Sequence, residues 1–483
     1  MNESCKLFDF KSFGERPAFI SDLGETISFS RLDGLAEELS RLRDAVASET
    51  GTRPLFMMLT HNTPAAFALY VALLQGGCPM MLVSADLPES MCRQILNTYR
   101  PALLLLPDAL RASYAPMREL LAIGDYRALR TNFSWNYPVH PDLAVLVTTS
   151  GSTGSVKFVR QSRNNIRSNT RAAADYMEIS ENDRMIASMS LSYTYAQAKT
   201  RATLLRGGCV VVTAHNVMEC EFWDLMENHR ITMLHGVSGM YEIMRRLDMF
   251  SEDFPDLRLL TQGGGKLSQE MHTCLARYAL DTGKRFFAAY GLTETTGSAT
   301  YLAPELNLKK PGSVGKPYPG RSIQLLDAEG REIHAPHTPG EIVYRGENVA
   351  MGYAECGDDL ARGDDWNGVL PTGDVGQLDE DGDLYIVGRM KRFIKVHGYR
   401  ISLDEIDGRI MDDLNILTVS VGSDDHPVIW ITKAEDEAAV KAYICKKLPV
   451  LRTAVRFAVI DEIPRTEAGK IRYGELLERA RAL

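Results

Sequence analysis

The strongest constraint on the fold is a series of short runs dominated by aliphatic residues, separated from one another by segments with helical periodicity. Cys209 to Thr213, Ile231 to His235 and Leu257 to Thr261 are such runs. Strands with little polar alternation are buried on both faces, the pattern of a parallel sheet covered by helices. Earlier, Pro64 to Gly76 reads as a buried helix, opened by Asn62 and Thr63 and stopped by Gly76 and Gly77, and Pro79 to Val83 follows as a strand. The expected class is therefore α/β, with layered α/β subdomains in a large N-terminal unit.

The texture changes between about 313 and 387, where glycine-punctuated strands carry the turns Asp327-Ala328-Glu329-Gly330 and Asp379-Glu380-Asp381-Gly382. This predicts an antiparallel, β-barrel-like subdomain. Beyond Gly388 the chain has patterns of its own: strands at Leu417 to Val421, Val428 to Thr432 and Val455 to Ile460, and a helix at Ala438 to Lys447. A boundary at Lys391 divides it into residues 1–390 and a small α+β unit, 391–483.

A chain of 483 residues, 45% hydrophobic and 24% charged, has material for two cores. Its formal charge of −9 is spread along the sequence with no Lys/Arg run, so nucleic acid is not an expected partner. The start lacks the order of a signal peptide, and no apolar run approaches the roughly 20 residues of a membrane span. A cytoplasmic location is expected. The eight cysteines show no C-x-x-C spacing, which argues against a disulfide framework or a zinc site. Pro336 between His334 and His337 argues against a helical metal pair.

One loop carries chemistry. Thr149-Ser150-Gly151-Ser152-Thr153-Gly154 follows the apolar segment Leu143 to Val147 and precedes Lys157. A strand delivering glycines and hydroxyls presents free N–H groups able to wrap a polyphosphate. The Walker spacing cannot be laid over it. Four further segments follow in order: Tyr290-Gly291-Leu292-Thr293-Glu294, Thr372-Gly373-Asp374, Gly388-Arg389-Met390-Lys391, and Pro464-Arg465-Thr466-Glu467-Ala468-Gly469-Lys470. Each alone fits a turn, a capped helix start or a solvated surface segment.

Taken in this order, they resemble the acyl-adenylate-forming superfamily: acyl- and aryl-CoA synthetases, adenylation domains of peptide synthetases, and firefly-type luciferases. The resemblance implies ATP and Mg²⁺ as cofactors, a large N-terminal domain and a small C-terminal domain that swivels. It places the β- and γ-phosphates on Thr149 to Gly154 and Lys157, the adenine near Tyr290 and Gly291 with Gly264 beside the nucleotide, and the α-phosphate near Thr293. Glu294 would hold the metal, a task suited to a carboxylate. Asp374 would accept the ribose hydroxyls, and Arg389 would reach ribose or phosphate. Lys391 matches the hinge. Lys470 would bridge the reacting carboxylate and the α-phosphate. Gly398 would border the tunnel for a pantetheine thiol, making CoA or a carrier-protein phosphopantetheine the expected acceptor.

The acyl pocket is expected from Tyr193, Thr194, Val237, Ser238, Gly263 and Gly265. Residues 186–199 contain no acid to bind an α-ammonium group, which disfavours an α-amino acid substrate. Lys199, Gln262 and Lys266 are candidates for contacting a polar substituent, although solvated surface positions are the commoner fate of such residues. Departures from the commonest family pattern include Val156, Phe158 and Arg163, and none removes a group the chemistry needs. The expected reaction joins ATP and a small carboxylate to give acyl-AMP and pyrophosphate, then a thioester; any carrier protein would act in trans. Transfer to an amine, a stand-alone amino-acid adenylating enzyme, a non-catalytic binding module and a luciferase-like oxidation are the alternatives.

Overall fold

The computed structural model describes residues 7–134, 137–148, 157–396, 399–448, 451–452, 454–465 and 470–481. Its larger sheet contains a parallel stretch in which Pro17–Ser21, Cys209–Val212, Arg184–Ala187, Met233–Gly236, Leu259–Gln262 and Arg285–Leu292 lie side by side. Successive side chains point to opposite faces of a strand. Phe19, Val210, Met185, Met233, Leu259 and Phe287 accordingly enter one core, while Ile20, Val211, Ile186, Leu234, Leu260 and Phe286 enter another. Both faces are covered, as the apolar runs predict.

A second sheet contains Phe158–Ser162, Leu143–Thr148, Met80–Ser84, Phe56–Thr60 and Leu103–Pro107 in that order. The Pro64–Gly76 helix joins its strands to the shared core. Thr63 accepts a hydrogen bond from the Ala66 N–H, Pro64 occupies the first turn, and Gly77 ends the helix at φ 74°. The predicted start at Ile231 moves to Met233, because the Ile231 N–H closes the preceding helix onto Met226 O at 2.9 Å. Likewise the Leu257 N–H turns back to Phe254 O at 3.0 Å, so that strand begins at Leu259.

The antiparallel block continues the larger sheet. Gly297–Tyr301 pairs with Arg285–Leu292 and leads through Ser313–Pro317, Leu384–Arg389, Val369–Leu378 and Gly340–Arg345 to Ser322–Leu326. Its core gathers Leu325, Ile342, Tyr344, Leu370 and Leu384. The two aspartate-led turns close as expected, Gly330 N–H on Asp327 O at 3.1 Å and Gly382 N–H on Asp379 O at 3.0 Å.

After Met390–Arg392, a 3-10 turn in which Lys391 is exposed, the chain builds a small α+β unit. Thr418–Ser423 and His426–Ile431 pair antiparallel, and Arg456–Val459 adds in parallel. Ile429 and Ile431 pack on one face with Ile406, Ile410 and Val440; Val419, Val421 and Trp430 pack on the other with Leu476. Both of these cores draw only on residues from 394 onward.

Candidate active site

The Arg285–Leu292 strand delivers Tyr290 and Gly291, and the 3-10 turn Thr293–Thr295 continues it with Thr293 and Glu294. Gly291 is required by a close approach: a Cβ there would lie 2.3 Å from Gly297 O. Across the antiparallel block, Asp374 and Arg389 are register partners on neighbouring strands. The buried Asp374 carboxylate accepts a hydrogen bond from the Tyr290 hydroxyl at 2.6 Å on Oδ2, and Arg389 Nε lies 3.3 Å from Oδ1. Burial pushes its pKa up; Arg389 and Tyr290 pull it back, and Glu294 and Asp404 add to the rise.

Glu294 accepts a hydrogen bond from the Tyr353 hydroxyl at 2.7 Å on Oε1. Lys157 sits 3.6 Å above the same ring and 3.9 Å from Glu355. Thr293 is held at both ends. Its hydroxyl accepts from Thr194 Oγ1 at 3.3 Å, and its carbonyl accepts from Gln161 Nε2 at 3.0 Å.

Lys470 reaches this group from the small unit, its ammonium 5.6 Å from the centre of the Tyr193 ring. Burial lowers its pKa first and Arg389 lowers it further, while Glu294 and Asp374 raise it. One cation from the C-terminal segment therefore feels Arg389, Glu294 and Asp374 together. The segment is tied back locally by the Arg472 N–H on Pro464 O at 2.9 Å.

The expected acyl-pocket residues converge at the mouth of the Thr194–Leu205 helix. A Cβ on Gly264, which has φ +83°, would lie 1.9 Å from the Tyr193 hydroxyl and 3.6 Å from Val237. A Cβ on Gly263 would lie 2.8 Å from Tyr195, and one on Gly265 3.1 Å from the Ser238 hydroxyl. Gln262 donates to Ser238 Oγ at 3.1 Å and to Gly265 O at 2.6 Å. Gly264 thus lies against Tyr193 and Val237, two of the residues expected to form the acyl pocket.

Two surface expectations are corrected. Lys199 is 0% exposed and Gln262 2%, because the Thr194–Leu205 helix is buried along almost its whole length and Gln262 ends a central strand. Lys266 is exposed, as expected. Thr149, Ser150, Gly151, Ser152, Thr153, Gly154 and Gly398 lie outside the described residues. The sequence reading missed Tyr353 and Gln161, whose partners stand 59 and 132 positions away in the chain. No local spacing marks such residues.

The donor set suits a hard cation beside a nucleotide. Glu294 is only partly buried, Tyr353 engages one of its oxygens, and carboxylate oxygen is the ligand Mg²⁺ prefers.

Comparison with known proteins agrees in extent and shape. Residues 9–354 match the family described as AMP-binding enzyme. The 3-hydroxybenzoate–CoA ligase of Aromatoleum sp. (strain CIB) is 24% identical, over 98% of this chain and 95% of its own length. The 2-succinylbenzoate–CoA ligase of Bacillus pumilus (strain SAFR-032) is 27% identical, over 92% and 91%. O-succinylbenzoate coenzyme A synthetase (MenE) from Bacillus subtilis, solved in complex with AMP, superposes with a TM-score of 0.78 at 22% identity over 97% of each chain. ATP-bound MatB from Rhodopseudomonas palustris gives 0.78 at 22% identity over 98% of each.

Proposed function

This chain belongs to the AMP-binding enzyme family of the acyl-adenylate-forming superfamily, and from that premise we propose that it activates a small carboxylic acid with ATP and passes the acyl group to the thiol of CoA. A carboxylate oxygen attacks the α-phosphorus, the bond to the β-phosphate oxygen breaks, and pyrophosphate leaves. The thiolate of CoA then adds to the acyl carbon, and AMP departs with the electrons of its C–O bond.

The observation that carries this reading is the seat of Lys470. Two anions, carboxylate and α-phosphate, must meet, and a preorganised ammonium offsets their repulsion as charge develops. Lys470 stands beside Arg389, Glu294 and Asp374, where a nucleotide's ribose and phosphates would lie if Asp374 took the ribose hydroxyls. Mg²⁺ on Glu294 would neutralise phosphate charge. Thr293, fixed by Thr194 and Gln161, would donate toward the α-phosphate, and Lys157 with the loop at 149–154 would hold the outer phosphates.

A fixed Lys470 would block the second step, so the small unit turns about Lys391 after adenylation and brings the segment at Gly398 to the acyl-AMP. Its independent cores support motion as one body. Relatives matched along nearly their whole length are named CoA ligases for compact aryl acids, which favours CoA over a carrier protein and an acid of similar size. Among the described residues no helix is long and apolar enough to cross a membrane, and we place the enzyme in the cytoplasm.

The test is carboxylate-dependent exchange of pyrophosphate into ATP across aryl, aliphatic, hydroxy and amino acids, followed by addition of CoA. Exchange with one class and thioester formation with CoA are expected. No exchange with any acid would overturn the reading, and exchange without thioester would reassign the acceptor.

A further inference from the structure

Lys199 is an amine sealed inside the protein, with 0% of its surface exposed. Its ammonium donates to the Tyr176 hydroxyl at 2.7 Å and reaches Met177 Sδ at 3.6 Å. The Tyr195 and Tyr176 ring centres lie 5.0 and 5.2 Å away. Among the described residues no carboxylate pairs with it, and burial alone pushes its pKa down to about 7. An uncompensated buried ammonium is strongly unfavourable, and Tyr hydroxyl, thioether and ring faces offset only part of that cost.

A second buried polar group is linked to it through Tyr195 and Thr261. His235 is 2% exposed, and its Nδ1 lies 2.7 Å from Thr261 Oγ1, which in turn lies 2.5 Å from the Tyr195 hydroxyl. His235 Nε2 has no hydrogen-bond partner among the described residues. Burial, and then the charges of Lys199 and Arg258, hold the imidazole neutral. When the Thr261 hydroxyl donates to Nδ1, Nε2 carries the proton and is a donor in need of an acceptor.

The pair is placed on the line of the acyl site. Thr194, at the start of the helix, touches Thr293 at the reacting end; Lys199 lies five residues further along, a rise of about 7–8 Å but about 140° round the axis, so the residue on its own face is Tyr195, one turn before it. Tyr193 lies under Lys470, the Tyr195 ring centre is 6.2 Å from that of Tyr193, and Tyr195 borders both Gly263 and Lys199.

We propose that Lys199, with His235 linked to it, forms the far end of the acyl site and binds a second acidic group on the substrate. The acid then carries a further carboxylate or an ionisable phenol, set back from the reacting carboxylate by about the width of a benzene ring. Such a group supplies the counter-charge that Lys199 lacks and the acceptor that His235 Nε2 lacks. This inference rests on the ligase reading above.

The experiment measures kcat/KM for pyrophosphate exchange with matched acids. Isophthalate, terephthalate and glutarate test the carboxylate; 3- and 4-hydroxybenzoate test the phenol; benzoate, the monomethyl esters, the methoxybenzoates and pentanoate are the neutral counterparts. The wild-type enzyme is expected to prefer at least one acidic member over its neutral counterpart by about tenfold or more, and Lys199→Met is expected to bring that ratio close to one. Which arm shows the preference identifies carboxylate or phenol. Equal kcat/KM within every pair for the wild type would overturn the proposal without any variant. A ratio that survives in Lys199→Met would also overturn it. Exchange with neutral acids and no preference removes only this inference, whereas exchange with no acid removes the ligase reading itself.

Discussion

Tyr290 donates a 2.6 Å hydrogen bond to Oδ2 of Asp374 while Arg389 stands 3.3 Å from Oδ1, so each oxygen of this buried carboxylate already has a protein partner. An ionised carboxylate retains lone pairs for two further hydroxyls; an amide cannot. Asp374→Asn is expected to raise KM for ATP by about 10- to 100-fold, the scale of losing a charged hydrogen bond worth roughly 1.5–3 kcal/mol. Initial-rate kinetics at saturating acid check it.

The same contact has a pH signature. Burial raises the pKa of Asp374, so its charged form is present above that raised value and is lost as pH falls through it. Tyr290 pulls the value down. Tyr290→Phe is therefore expected to move the acidic limb of 1/KM for ATP to higher pH. A profile that stays in place or moves to lower pH would show that a different group governs the limb.

Lys470 gives the opposite limb. Burial and Arg389 hold its pKa below the ordinary lysine value of 10.5, so the protonated fraction falls with rising pH earlier than for a surface lysine. Pyrophosphate exchange is expected to decline on that alkaline side. Lys470→Ala is expected to slow exchange by about 10²–10³-fold, the effect of deleting one preorganised donor. Conversion of supplied acyl-AMP and CoA to thioester should persist, and its loss would mean that Lys470 serves both steps.

What the sequence revealed follows from where the information lies. The buried parallel strands announce themselves because both faces need aliphatic side chains, and the Pro64–Gly76 helix because Thr63, Pro64 and Gly77 are local signals. Tyr290, Glu294, Asp374 and Lys470 were legible only as an ordered set of short motifs. Their mutual contacts depend on strand register and on how the small unit sits. Tyr353 and Gln161 left no local trace, and Lys199 was misjudged because a lysine on a helix is buried or exposed according to the layers around that helix.

Gly264 is expected to be intolerant for two separable reasons. Its φ of +83° costs a residue with a Cβ roughly 1–2 kcal/mol, and that Cβ would fall 1.9 Å from the Tyr193 hydroxyl. Gly264→Ala should therefore displace the Tyr193 ring and raise KM for the acid severalfold. Tyr193→Phe removes the clashing oxygen. The double variant is expected to regain part of the acid KM while keeping the loss of stability, since only the steric term is relieved. A double variant no better than Gly264→Ala would assign the whole effect to the backbone.

Arg160 is expected to link stability to the metal requirement. Fully buried, it donates to the carbonyls of Tyr353 at 3.1 Å, Arg362 at 2.6 Å, Gly363 at 3.1 Å and Met351 at 3.0 Å, and it pairs with Asp365. It thereby pins the segment that carries Tyr353, whose hydroxyl orients Glu294. Arg160→Leu removes the arginine donor from the Tyr353, Arg362 and Gly363 carbonyls, while Met351 O keeps the Asp365 N–H and Asp365 keeps Arg362, and should destabilise the protein by about 3 kcal/mol, roughly 1 kcal/mol for each carbonyl that loses it. Urea unfolding reads that loss. The Mg²⁺ concentration for half-maximal exchange should rise as well, because Glu294 loses its fixed orientation. Tyr353→Phe separates the two effects: it deletes only the contact to Glu294, so the Mg²⁺ requirement should rise while the urea midpoint changes little. If Tyr353→Phe leaves the Mg²⁺ dependence where it was, the hydroxyl does not position Glu294, and the metal response of Arg160→Leu must come from the wider loss of structure.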